Sequence, residues 1–319
     1  MRKAITAALA AGVLVATAAC GSDDSSSDGD AKAEKSAEGQ GGGEADDAAD
    51  AADAGDATTA LRTAQEKSEE AGTVALTATT SIEVPGEDMS MSFELSGVTG
   101  WDPPAMDVTI DMSDFFAMLA EAMGTDPAEA PDAVQQTRLV DNVMYSGGEL
   151  VEAQYGEGKW SKLDLGEVDV NDPRLGQSAE ALKSSQQMSA APFQQLALLL
   201  EGGDVEHVGS EDLDGESTEK YEGSLTAEDL QGLDDASEHI SEAYVASLLA
   251  VLENMGADTF EFTVWIGEGD LPARVDQQMV LPEGDHLTST VYEEYGVELN
   301  VEAPDEADVV DILEAAGGR

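Results

Sequence analysis

The chain has 319 residues, 14 basic against 68 acidic for a formal net charge of −54, 41% hydrophobic and 5% aromatic residues, and one cysteine. That balance argues against nucleic-acid binding, which needs clustered Lys and Arg on phosphates, and against docking on anionic lipid headgroups, which attract polybasic segments. A single cysteine excludes an intrachain disulfide, so the fold must rest on packing.

The chain opens Met1-Arg2-Lys3, runs apolar over 4–16, and reaches Thr17-Ala18-Ala19-Cys20 before turning polar. This is a basic n-region, an apolar stretch too short to span a bilayer and a small-residue cleavage site, predicting a signal peptide over 1–19. A cysteine directly after the small residues marks a lipoprotein signal, in which Cys20 takes a diacylglyceryl group and becomes the mature N-terminus. The segment resembles the bacterial lipobox, with Thr17 where Leu is usual. An ordinary secretory signal with a free thiol and an uncleaved anchor are the alternatives. A diacyl group holds a soluble domain durably at a membrane, because each buried methylene contributes about 0.8 kcal/mol and one chain alone anchors only marginally. The expected location is the outer face of the cytoplasmic membrane.

Residues 21–57 contain no aromatic and no β-branched residue and hold 12 acids against two lysines. Such a segment buries too little apolar surface to offset its ordering entropy, so 20–57 is expected to be a lipidated cysteine followed by a disordered tether. As a coil it spans roughly 35 Å. The remainder, 58–319, carries 56 acids against 10 bases and reads as one domain. Its acidity fits a solvated surface, adaptation to salt, or binding of cations or basic partners.

A helix is predicted over 58–71, with Gly72 as its stop. The period then changes to two. Val74, Leu76, Ala78, Thr80 and Ile82 alternate up to Pro85-Gly86. Met89, Met91, Phe93 and Leu95 continue towards Trp101, and Met106, Val108, Ile110 and Met112 follow Asp102-Pro103-Pro104. These read as three antiparallel strands with one apolar face each. A short helix over 113–123, apolar nearly all round, carries Phe115 and Phe116. Strands are expected over 137–146 and 159–165, then a helical stretch over 178–201 broken at Pro192, which can open a second helix. Strands over 205–208 and 217–225 flank a turn at Asp214-Gly215. A helix over 236–254 aligns Ile240, Tyr244, Leu248, Val251 and Leu252. Strands over 260–266, 275–281, 287–292 and 297–303 and a helix over 305–316 complete the chain. Hairpins with grouped helices predict an α+β fold on an antiparallel sheet.

The search for catalysis finds little. His207, His239 and His286 are far apart and match no zinc spacing, and neither a nucleophile elbow nor a phosphate loop occurs. Residues 210–221 only echo a calcium loop, with Ser210 and Tyr221 where acids belong. Carboxylate pairs are too abundant to single one out. No enzymatic activity, catalytic residue, cofactor or metal is expected. The apolar strand faces offer a lead: Met89, Met91, Phe93, Met106, Val108, Ile110, Phe115, Phe116, Phe262 and Val264 are candidates to line an apolar ligand cavity, methionine being adaptable in shape. Ordinary core packing is the alternative for each.

Several segments also carry a resemblance. Lys159-Trp160-Ser161-Lys162-Leu163-Asp164 resembles the GKW-x-K-hydrophobic-D strand of actinobacterial lipoproteins of the LppX/LprA/LprF/LprG type. The Val208-Gly209-Ser210-Glu211, Asp214-Gly215 and Tyr221-Glu222-Gly223 series is similar to their hairpin. Phe262-Thr263-Val264-Trp265-Ile266, Leu271-Pro272-Ala273-Arg274 and Tyr295-Gly296-Val297 leading to Ala303-Pro304 are similar to their C-terminal series. The resemblance implies a LolA/LolB-like half-barrel, a strongly curved antiparallel sheet around a few helices. It implies a protein that binds or carries a lipid, lipoglycan or other acylated molecule in a cavity between sheet and helices; with the anchor at Cys20, a membrane-anchored monomer is expected. A non-enzymatic envelope interaction or sensor lipoprotein with a fully packed core is the alternative.

Overall fold

The computed structural model describes residues 46–83, 90–126, 133–167, 192–233, 240, 242–279, 281 and 286–317. The expected signal 1–19, Cys20, residues 21–45 of the expected tether, Met89, His239 and the helical portion 178–191 lie outside the described residues.

Within them the elements run α1 (Asp46–Ala71), β1 (Thr73–Glu83), β2 (Ser90–Trp101), β3 (Pro104–Asp111), α2 (Ser113–Ala122), β4 (Val134–Val140), β5 (Val143–Gly148), α3 (Glu149–Tyr155) and β6 (Trp160–Asp164). Then come α4 (Pro192–Gly202), β7 (Asp204–Leu213), β8 (Glu216–Thr226), α5 (Ala227–Gly232), α6 (Glu242–Met255), β9 (Thr259–Ile266), β10 (Pro272–Met279), β11 (His286–Tyr295), β12 (Val309–Asp311) and α7 (Ile312–Gly317). The fold is α+β.

The expected elements and the observed ones differ at several places: α3 and α5 fall in no expected element, and β7 runs to Leu213, past the expected end at 208. Helix α1 begins at Asp46, twelve residues before the expected start at Thr58, because the alanine-rich run ahead of Thr58 continues the helix. The expected strand over 137–146 is a hairpin, β4 and β5, turned at Asp141-Asn142. Both residues have positive φ (49° and 65°), the mirror-image turn that suits the twist of paired strands. Residues 297–303 form no strand. Their backbone is taken by side chains instead: Thr73 Oγ1 donates to the Val297 carbonyl (2.7 Å) and Arg138 to that of Glu302 (3.2 Å). The expected terminal helix over 305–316 is divided into a single 3-10 turn, the short β12 and α7. Asp214-Gly215 turns as expected, and Pro192 opens α4.

One twelve-stranded sheet has the order β12-β6-β5-β4-β3-β2-β1-β11-β10-β9-β8-β7. It is two consecutive meanders, β1 to β6 and β7 to β11, laid side by side and joined where β1 pairs with β11. All pairings are antiparallel except β12 on β6. The register puts Tyr292, Leu76, Gly97, Val108 and Thr137 in one cross-strand row, which carries a single core face across the seam between the meanders. Gly97 is required there. Its φ is +149°, and a Cβ would stand 2.3 Å from the Asp107 carbonyl oxygen.

The main core joins α1 (Leu61, Ala64), α4 (Leu196 to Leu199), α5 (Leu230) and α6 (Leu248, Leu252) to the core face of β8 to β11 and β1. A second, much smaller cluster, Leu139, Leu163 and Leu165 with Met106, Ile312 and Leu313 against it, serves β3 to β6.

Candidate functional site

The strand pattern places most of the candidate residues on one surface. Across β9, β10, β11, β1 and β2 the core face presents cross-strand rows. One runs Phe262, Gln277, Thr288, Thr80 and Phe93, and the next Phe260, Met279, His286, Ile82 and Met91. A third runs Val264, Val275, Thr290, Ala78 and Leu95 and continues into Ile110 on β3. Met106 and Val108 lie on the same face of β3. The two aromatic ends, Phe93 and Phe262, stand four strand spacings apart, roughly 19 Å.

Burial separates these residues into two groups. Val108, Phe262 and Val264 are fully buried, the last two inside the main core. Met91, Phe93, Met106 and Ile110 are only half-buried. So are Phe115 and Phe116 on α2, whose rings meet edge to face at 5.4 Å. On the same helix Met118 is half-buried, Leu119 is 39% exposed, and Met123 just past its end is 72% exposed. Apolar surface on β2, β3 and α2 is therefore incompletely covered.

The structure adds a feature that apolar periodicity does not mark. Strand β11 turns His286, Thr288, Thr290 and Tyr292 to the core face and leaves Val291 41% exposed on the other. Buried polar groups need partners, and Thr288 and Tyr292 have them. Thr80 and Thr288 hydroxyls are 3.1 Å apart, and Tyr292 donates to the Gln195 side-chain oxygen (3.2 Å). His286 differs: both ring nitrogens are buried with no hydrogen-bond partner among the described residues. Burial pulls its pKa below the usual histidine value, and burial pushes the Tyr244 and Tyr292 phenols up. The signal for this row was the second, polar alternation of the same segment, closed by Tyr292.

Charge is kept off this surface. The core faces of β1, β2, β3, β9, β10 and β11 carry no Lys, Arg, Asp or Glu. Six basic residues pair elsewhere: Lys67 with Asp270, Arg138 with Asp107, Lys159 with Asp308, Lys162 with Asp311, Lys220 with Glu222 and Arg274 with Asp276. His207 bonds Glu219 at 2.7 Å near the rim. Among the described residues no group of three or more His, Cys, Asp and Glu could hold a metal ion, and no helix is long and apolar enough to cross a membrane.

No protein-family model matches the chain. In sequence it is 28% identical over 261 residues to a 31.2 kDa protein from the rplA-rplJ intergenic region of Streptomyces griseus, covering 80% of this chain and 78% of that one. It is 26% identical over 259 residues to a Streptomyces coelicolor protein named as a candidate lipoprotein, covering 80% of this chain and 74% of the other. In structure it is similar to the Mycobacterium tuberculosis lipoprotein LppX, at 15% identity and TM-score 0.44, over 78% of this chain and 99% of that one. LppX is among the lipoproteins whose motifs the sequence resembles.

Proposed function

We propose that the chain is an exported lipoprotein, anchored through Cys20 to the outer face of the cytoplasmic membrane, that shelters acyl chains between its sheet and its helices. In this reading 1–19 is removed, the residues between Cys20 and α1 tether the domain, and α1 onward acts as one LolA-like unit, a monomer whose sheet curves around the helices. The boundary expected at 57/58 moves back because α1 starts at Asp46 and buries Ala57 in the main core. One observation carries the reading. The core face of β2 and β3, together with α2, holds Met91, Phe93, Met106, Ile110, Phe115, Phe116 and Met118 half-covered, beside the fully buried Phe260, Phe262, Val264 and Val275 of β9 and β10. Methionine and phenylalanine in a half-covered wall suit a chain of variable shape. The lipobox-like Cys20 and the name of the Streptomyces coelicolor relative support the anchor.

The test is detergent-free purification of the mature protein, native mass spectrometry, and uptake of a pyrene-labelled fatty acyl probe. Co-purified lipid or saturable uptake is expected. No lipid and no uptake would overturn the reading in favour of a packed envelope interaction protein. A Cys20→Ala variant is expected to appear in the medium or as unprocessed precursor. Mature-sized protein retained at full strength in the membrane would overturn the anchor.

A further inference from the structure

We propose that the core face of β11 is a hydrogen-bonding track that selects uncharged acyl esters over free fatty acids, with His286 as its ligand-contacting group. The inference rests on the sheltering reading and goes beyond it by naming the ligand's polar chemistry.

The first ground is placement. His286, Thr288, Thr290 and Tyr292 form one polar row along a strand near the middle of the sheet. On the same face His286 is flanked by Ile82 and Met91 towards β2 and by Met279 and Phe260 towards β9, while Thr288 is flanked by Thr80 and Gln277 before Phe93 and Phe262 close that row. An amphiphile lying across these strands meets hydrocarbon on β2 and β9 and polar groups on the three middle strands, β10, β11 and β1.

The second ground is the unfilled valence of His286. Thr288 and Tyr292 have partners within the protein, whereas both imidazole nitrogens are buried and unbonded among the described residues. A buried polar group without a partner is costly, and a ligand that hydrogen-bonds it recovers that cost on binding. A neutral imidazole offers one N–H donor and one acceptor nitrogen, and an ester carbonyl accepts from that N–H. Burial favours the neutral form, in keeping with this.

The third ground is charge. No Lys or Arg lies on the core face of the six strands around the track. A carboxylate or phosphate brought there loses its hydration with no cation to replace it. The folded part, with 56 acids against 10 bases, repels anionic ligands further. An ester presents oxygen acceptors without a charge.

The experiment compares pyrene-dodecanoic acid with its methyl ester, titrated at pH 7.5 into the mature wild-type chain, the His286→Phe variant and the Thr80→Val/Thr288→Val double variant. The wild type is expected to bind the ester about tenfold tighter than the acid, the scale of one hydrogen bond. His286→Phe is expected to weaken the ester by about tenfold, leave the acid unchanged, and not lower the melting temperature, since it removes an unbonded imidazole. The double variant, which deletes a bonded pair together, is expected to keep the fold and weaken the ester severalfold. Equal wild-type affinities, or ester binding unaltered in both variants, would overturn the track while leaving acyl sheltering intact. A lowered melting temperature in His286→Phe with unaltered ester preference assigns His286 a structural role and likewise overturns it. Failure of the wild type to bind either probe overturns the sheltering reading and this inference with it.

Discussion

The two meanders of the sheet are built alike and covered differently. On β7 to β11 and β1 the helices α1, α4, α5 and α6 complete a continuous core around Leu61, Leu196, Leu252, Phe260 and Val264. On β2 to β6 only Leu95 and Trp101 reach that core, and the same alternation of apolar residues meets the short helices α2, α3 and α7 and a cluster of three buried leucines. A strand face specifies where apolar side chains point. What arrives to cover them decides whether they act as core or as a wetted wall. Regions with fewer buried apolar contacts open at lower free energy than the core, so stability should concentrate in the first half and adaptability in the second.

The contrast can be broken most directly by paired truncations. Phe260→Ala is expected to cost about 3–5 kcal/mol, as for a large side chain removed from a packed core, and Phe93→Ala only about 1–2 kcal/mol. Urea unfolding checks both, and equal costs would remove the distinction. Next is Gly97→Ala at the close approach of β2 and β3. The new methyl would meet the Asp107 carbonyl at 2.3 Å and the Val108 Cα at 2.7 Å, with φ at +149°. A loss of about 2 kcal/mol or more is expected; a neutral result would show that β2 and β3 can separate freely.

A smaller effect sharpens the comparison through pH. Because burial holds the His286 pKa below its ordinary value of 6.5, the unfolded chain binds this proton first as pH falls. The stability from neutral His286 is therefore fully present above about pH 6.5 and is lost as pH drops through that value towards the folded pKa. The fall in melting temperature from pH 7.5 to 5 is expected to be shallower in His286→Leu than in the wild type; parallel curves would contradict the burial of this ring. Smallest is the ion pair of Lys162 with Asp311 (3.2 Å), which fastens β12 to β6. Lys162→Met is expected to cost about 0.5–1 kcal/mol by thermal melting, and less at high salt.

Much of the sheet was legible because period-two patterning is local. Val74 to Ile82, Met91 to Leu95 and Phe260 to Ile266 read correctly, and their shared face follows from register. Strand β11 was found, but its inward side is polar. Leu287 and Val291 are as apolar as an inward set would be, yet Tyr292 packs in the core and carries His286, Thr288 and Thr290 inward with it. That choice is made by partners far away in sequence, Leu76 on β1 and Gln195 on α4. The Asp141-Asn142 turn was missed because neither residue is glycine, although Asn and Asp tolerate positive φ. Of the candidate site, the one-sided Met and Phe faces were readable. The division into packed Phe262 and Val264 and half-covered Met91 and Phe93 was not, since it depends on which helices reach each half.

The position of β1 has a mechanical consequence. The chain leaves α1 at Gly72 and enters a strand that is hydrogen-bonded on both sides, to β2 over Thr73 to Glu83 and to β11 over Val74 to Ile82. Antiparallel bonds run perpendicular to the strand, so tension applied along β1 shears both ladders at once instead of peeling bonds one by one. Entering at the seam between the meanders, a pull from the N-terminal side is shared by the whole sheet, whereas the same pull on an edge strand would unzip it.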